Sequence, residues 1–179
     1  DYADASIKEC YQLAITCNAE GELFKRCTGK NKLALLMPPE TNDMSFAMTS
    51  SFSSMMLSAL YLFYPVADFK EQFQKSIVAT ESLISTHHQA LKNIANKTFE
   101  RVIYLGSGIF KGLAREGALK LLELTDGVAV SSFDSPLGFR HGPKAIVNDK
   151  TLVMLFISNH PLTRKYDIEL LNELKADSE

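Results

Sequence analysis

Short apolar runs punctuated by polar turns alternate along this chain with longer segments whose apolar positions recur at helical spacing. Tyr11-Gln-Leu-Ala-Ile-Thr-Cys17 is such a run, bounded by Asn18 and Gly21, and it predicts a buried strand. Lys32 to Met37 repeats the type and is stopped by Pro38-Pro39. Glu40-Thr-Asn-Asp43 follows as a polar helix N-cap signal. Ser45 to Tyr64 is rich in Ser, Met, Leu and aromatics and ends at Pro65, which predicts one long, largely buried helix. Residues 67–97 read as helix throughout, with Phe69, Phe73, Ile77, Leu83, Ile84, Leu91 and Ile94 as its apolar positions.

The second half is more regular. Arg101 to Leu105 predicts a strand, broken by Gly106-Ser-Gly108. Ile109 to Leu124 predicts a helix, closed by Asp126-Gly127. Val128 to Phe133 is the next strand, Ser135 to Val147 a loop with a short helix, Thr151 to Ile157 a further strand, and Leu162 to Lys175 a closing helix. Short apolar strands alternating with helices predict an α/β fold: a parallel sheet covered on both faces, a three-layer α/β/α sandwich. Ligands in such sheets bind beyond the carboxyl ends of the strands, which singles out the turns after Leu105, Phe133 and Ile157. The first half, with two predicted strands, reads as an incomplete sheet.

Composition narrows the function classes. The chain has 179 residues, 46% hydrophobic and 22% charged, with a formal net charge of −2. Those fractions exclude disordered and fibrous classes. The near-neutral balance argues against a nucleic-acid or anionic-membrane partner. No apolar run reaches the ~18 residues of a membrane-spanning helix, and no signal peptide is visible. Cys10, Cys17 and Cys27 form an odd set without a C-x2-C pair, which predicts reduced structural thiols, no zinc site and a cytoplasmic compartment.

Four constellations could carry chemistry. Gly106-Ser107-Gly108 joins a strand to a helix, where backbone N–H groups and the helix dipole converge; it reads as a small-anion or sugar site or as a merely tight turn. The third glycine, Gly112, falls one residue late for a dinucleotide fingerprint, and no acidic residue ends the next strand at the right distance, so no nicotinamide cofactor is expected. Glu116, Lys120 and Glu123 stand at i, i+4 and i+7 on one helix face. They are either a solvated charged stripe or a carboxylate held near a cation, able to move a proton between adjacent carbons. Ser135-Pro-Leu-Gly-Phe-Arg-His-Gly-Pro-Lys144 places His141 in a sharp turn between two cations, Arg140 and Lys144; the histidine is structural or a proton carrier near pH 7. Met48-Thr-Ser-Ser-Phe-Ser-Ser54 offers hydroxyls to phosphate or sugar oxygens, or is a small-residue helix face. His87-His88 reads as a surface pair and His160 as a loop residue.

Taken in order, Leu105-Gly-Ser-Gly, Glu116-Gly-Ala-Leu-Lys120-Leu-Leu-Glu123 and Phe139-Arg-His-Gly-Pro-Lys144 resemble the second sugar isomerase (SIS) domain of the two-domain aldose–ketose isomerases. The likeness is strongest to the tagatose-6-phosphate ketose/aldose isomerase branch, which overlaps galactosamine-6-phosphate deaminase activity. Ala47-Met-Thr-Ser-Ser-Phe52 resembles the late helix of a first SIS domain. The resemblance implies parts of two SIS domains: residues 1–65 from the end of the first, 66–98 a helical connector, and 99–179 the beginning of the second. It implies a sugar-phosphate substrate bound between domains and subunits of a homodimer or larger homo-oligomer, with no metal and no cofactor. Glu123 would be the base between C1 and C2; His141 would assist ring opening in a neighbouring subunit's site; Lys120 and Glu116 would orient or polarise the substrate. Ser107, Gly108, Thr49, Ser50 and Arg140 would bind it. The family's early phosphate loop and the synthase's C-terminal lysine have no counterpart here, which implies a protein about twice as long. The rival reading is a sugar-phosphate-sensing module without catalysis.

Overall fold

The computed structural model describes residues 2–64 and 67–177, so Pro65, the expected stop of the first long helix, lies outside the described residues. The chain divides into two compact units, residues 1–86 and 87–179.

In the first unit, α1 (Tyr2–Ser6) precedes β1 (Gln12–Thr16), and α2 (Glu22–Arg26) leads into β2 (Lys32–Leu36). The strands are parallel, with Gln12 opposite Lys32 and Thr16 opposite Leu36. Both were expected; the two five-residue helices were not, because one turn carries no periodicity. Ala14, Cys27, Met37, Ala47 and Ser51 form the buried set, and the Cys27 thiol reaches the Leu33 carbonyl at 3.3 Å. All three cysteines are free.

The helix expected from Ser45 begins instead at Ser50, as α3 (Ser50–Phe63). The reason is Asp43. Its carboxylate accepts the backbone N–H groups of Thr49, Ser50 and Ser51, each at 2.9 Å, and the Thr49 and Ser51 hydroxyls at 2.9 and 2.6 Å. The first-turn donors of a helix need such an acceptor, and its negative charge suits the helix dipole. The helix therefore starts where this carboxylate can reach, not where the apolar pattern starts. The expectation that it is largely buried is overturned. Within the chain only Ser51 of α3 is buried, and Phe52, Met56, Leu60 and Phe63 are exposed. A two-stranded sheet of five-residue strands is too small to cover a 14-residue helix.

The Ser51 hydroxyl and N–H, followed by the Ser50 N–H and the Thr49 hydroxyl, hold the Asp43 carboxyl well below the usual carboxylate range against a smaller opposing effect of burial. A lowered folded-state value means that this stabilisation is complete above the unfolded value, about pH 4, and is lost as pH falls through the lowered one. Asp43→Ala is expected to fray the first turn of α3 at neutral pH. Amide exchange at Ser50 and Ser51 should accelerate in the variant; unchanged protection would remove this role.

Helix α4 (Phe69–Ala95) matches the expected segment. At 27 residues it is about 40 Å long, and no residue along it is buried.

The second unit holds β3 (Arg101–Gly106), α5 (Ile109–Leu124), β4 (Val130–Asp134), α6 (Pro136–Arg140), a 3-10 turn at Pro143–Ile146, β5 (Thr151–Phe156) and α7 (Pro161–Ala176). The strand order is β4-β3-β5, all parallel, with β3 central. Strand β4 starts two residues later than expected, because Asp126 and Gly127 take left-handed backbone angles and turn the chain out of α5 first. Odd-numbered Ile103 and Leu105 pack on Phe139 of α6 and on Leu170 and Leu174 of α7. Even-numbered Val102 and Tyr104 point to the other face, where Gly117 of α5 lies so close to Tyr104 that a Cβ would come within 2.9 Å of its ring. Across β4 the Ser131 hydroxyl donates to the Ala118 carbonyl of α5 at 2.5 Å. The second unit is thus the expected α/β/α sandwich: α5, the sheet, then α6 with α7. A central parallel strand buried on both faces explains the continuous apolar run of β3.

Candidate active site

The charged face read from spacing exists as a contact cluster on α5. Lys120 Nζ lies 2.8 Å from Glu123 Oε2 and 3.5 Å from Glu116 Oε1. The three side chains retain only 22%, 26% and 27% of their exposure. This is not a freely solvated stripe, and partial burial strengthens the electrostatics among the three. The hydrogen bond to Glu123, with the charges of Glu123 and Glu116 behind it, holds the Lys120 ammonium pKa above its ordinary value, outweighing desolvation. The lysine therefore stays cationic, and two carboxylates stay fixed beside it. A carboxylate so held can accept a proton from carbon. An ammonium beside it can polarise an oxygen.

His141 caps the C-terminus of α6, its N–H donating to the Gly138 carbonyl at 3.3 Å. It is exposed, and its ring makes no hydrogen bond among the described residues. Since α5 and α6 cover opposite faces of the sheet, one chain does not bring His141 to Glu123.

Gly108 is the N-cap of α5, and Ser107 precedes it at the carboxyl end of β3. Glu123 lies in the last turn of the same helix, about 22 Å along its axis. The glycine turn and the charged cluster are therefore separate places. The Ser107 hydroxyl donates at 2.6 Å to Asp167 of α7, whose other oxygen accepts the Ser158 N–H at 2.8 Å. Asp167 is fully buried, and it joins the turns after β3 and β5. At the turn after β4, Lys111 Nζ lies 2.8 Å from Asp134 Oδ1. Lys111, opposed by burial and helped by the Ser135 N–H, holds the Asp134 carboxyl below its usual range. Arg140 faces α7 carboxylates, its Nε 2.7 Å from Glu173 Oε2 and its Nη1 3.7 Å from Glu169. Thr49, the N-cap of α3, and Ser50 sit in the first unit, both bound to Asp43.

The sequence reading missed Asp134, Asp167 and Glu173. Each acts on residues far along the chain, and no local pattern marks them. Among the described residues no cluster of His, Cys, Asp or Glu could hold a metal ion, and no helix is long and apolar enough to cross a membrane.

No family model matches the chain. Its sequence is 44% identical over 181 aligned residues to the D-galactosamine-6-phosphate deaminase AgaS of Escherichia coli, covering 100% of this chain and 47% of that protein. Its fold superposes with a TM-score of 0.91 on the crystal structure of tagatose-6-phosphate ketose/aldose isomerase from Escherichia coli, at 44% identity, covering 99% of this chain and 48% of that one. On glucosamine-6-phosphate deaminase from Thermotoga maritima the TM-score is 0.69 at 28% identity, covering 89% and 49%. The chain thus spans about half the length of the curated relatives it matches. Likeness along its whole length, in sequence and in fold together, carries the resemblance read from the Glu116–Glu123 and Phe139–Lys144 motifs: this chain has the SIS fold of phosphosugar isomerases.

Proposed function

We propose that the protein carrying this chain is a sugar-phosphate aldose–ketose isomerase of the kind that also deaminates amino-sugar phosphates, with galactosamine 6-phosphate or tagatose 6-phosphate as the substrate type. The observation that carries the proposal is the half-buried ion cluster Glu116–Lys120–Glu123 on α5. In the proposed reaction the Glu123 carboxylate takes the proton from C2 of the open-chain sugar and returns it to C1. With oxygen on C2 the product is a ketose. With nitrogen on C2 the same transfer leaves an imine, to which water adds as ammonia departs. Lys120 polarises the substrate oxygen, and Glu116 keeps Lys120 in place. His141 opens the ring by moving a proton between ring oxygen and C1 hydroxyl. Its place on the sheet face opposite Glu123 supports a site completed by a second copy, and hence a homodimer or larger homo-oligomer. Thr49 and Ser50 are proposed to bind substrate from the first SIS domain, whose final part is residues 1–65. Residues 66–98 would connect it to the beginning of the second domain at 99–179. The free thiols support a cytoplasmic compartment.

The test supplies the full-length protein with galactosamine 6-phosphate and with unaminated hexose 6-phosphates, following ammonia and ketose. Ammonia from the amino sugar, or ketose from the unaminated one, is the expected result. Neither product, with the sugar still bound, would overturn the enzyme reading and leave a sensing module in its place.

A further inference from the structure

The segment Arg140-His-Gly-Pro-Lys144 is held at both ends by one carboxylate of another helix. Arg140 is the last residue of α6, and Lys144 lies in the 3-10 turn that follows. Glu173 of α7 stands between them. Its Oε2 is buried and lies 2.7 Å from Arg140 Nε, a close ion pair without hydrogen-bond geometry. Its Oε1 accepts a hydrogen bond from the Lys144 ammonium. Glu169 supports Arg140 at 3.7 Å, and Asp177 supports Lys144 at 2.7 Å. Between the two pinned cations are His141, Gly142 and Pro143. Gly142 has φ +144°, which only glycine adopts readily, so the chain turns sharply there.

The imidazole of His141 has no hydrogen-bond partner of its own among the described residues. A histidine that works as a proton carrier is commonly oriented through its second ring nitrogen. Here the orientation has to come from the backbone on either side, and that backbone is fixed through Arg140 and Lys144. We propose that Glu173 is a positioning residue for His141: by binding both flanking cations, it fixes the arc that presents the imidazole to the sugar. Arg140 and Lys144 then serve as the attachment points of that arc, and their charges are spent on α7 rather than on the substrate's phosphate. This inference rests on the proposed role of His141.

The experiment compares four forms of the full-length protein: wild type, Glu173→Gln, His141→Asn and the double variant. Glutamine keeps the shape of the side chain and removes the charge that holds both cations. Glu173→Gln is expected to lower kcat about 10- to 100-fold with KM within about threefold, the cost of a misplaced reacting group. In the His141→Asn background the same change should lower kcat less than about twofold, because a residue acting through His141 has nothing left to position. The His141 Cε1–H resonance should be one sharp line in the wild type and broadened or split in Glu173→Gln. Should Glu173→Gln not fold, Lys144→Gln releases one end of the arc and is read in the same way. An unchanged kcat, the same loss in both backgrounds, or an unaltered resonance would overturn the inference. Absence of turnover in the wild type, or a His141→Asn variant as fast as wild type, would instead strike the proposed function, and the resonance would still decide whether Glu173 orders the ring.

Discussion

Glu123→Gln is expected to lower kcat by about 10²- to 10⁴-fold, the usual worth of a positioned general base. Glutamine has nearly the shape of glutamate, and its carbonyl can still accept the hydrogen bond that Lys120 now gives at 2.8 Å. What it cannot do is hold a proton taken from carbon. Lys120 keeps Glu116 at 3.5 Å, so the cation remains in place to orient the substrate. The change should therefore fall on kcat, with KM altered by no more than a few fold, because the lost interaction belongs to the transition state. A second readout is isotopic. A base shared between C2 and C1 exchanges its proton with solvent, so product formed in heavy water should carry deuterium at C1. In the glutamine variant, that incorporation should fall with the rate. Turnover within about threefold of wild type would show that Glu123 is not the base. A sensing module would keep its ligand response in the variant, which separates the two function classes directly.

What could be read from the chain beforehand follows from the range of the forces involved. Strand β3 was legible because burial on both faces leaves a run, Val102 to Leu105, with no polar position in it. The Glu116–Lys120–Glu123 cluster was legible because helical spacing alone brings positions three, four and seven apart onto one face. The alternation of strand and helix by itself implies the layers of the second unit. The turn of Asp43 onto α3 was half legible. Its polar stretch reads as a cap signal, but the six-residue reach to Thr49 does not, so the start of the helix was misplaced. Helix α3 shows a different limit. Its apolar composition says that it prefers cover; it does not say that this chain supplies the cover, and β1 and β2 do not. Nor could spacing reveal that Arg140 and Lys144 spend their charge on Glu173, 33 and 29 residues away. The motif signals a dense turn with two cations. Only the packing of α7 shows what those cations bind.

The largest stability effect is expected at Asp167, on the side of the sheet opposite α5. Asp167→Ala should destabilise the second unit by about 2–4 kcal/mol, since hydrogen bonds to a charged group contribute about 1.5–3 kcal/mol each and buried donors left without acceptors add their own cost. The carboxylate is fully buried and has two donors, the Ser107 hydroxyl and the Ser158 N–H. The Ser158 N–H cannot turn to water once the acceptor is gone, because Ser158 is buried, while the part-buried Ser107 hydroxyl, in the tight turn into α5, loses its acceptor. That turn has no slack: a Cβ on the neighbouring Gly106 would come within 2.2 Å of the Phe110 carbonyl. Asparagine should behave differently. Its oxygen can accept the Ser158 N–H while its amide donates to Ser107, whose hydroxyl can reverse from donor to acceptor. Asp167→Asn should therefore cost about 1 kcal/mol or less, on the scale of one neutral hydrogen bond. Denaturant unfolding of the two variants beside wild type decides the matter. An alanine variant within about 0.5 kcal/mol of wild type would mean that the cost of burying the charge already cancels its hydrogen bonds. A large loss in both variants would mean that the charge itself, rather than the pair of acceptors, joins the turns after β3 and β5.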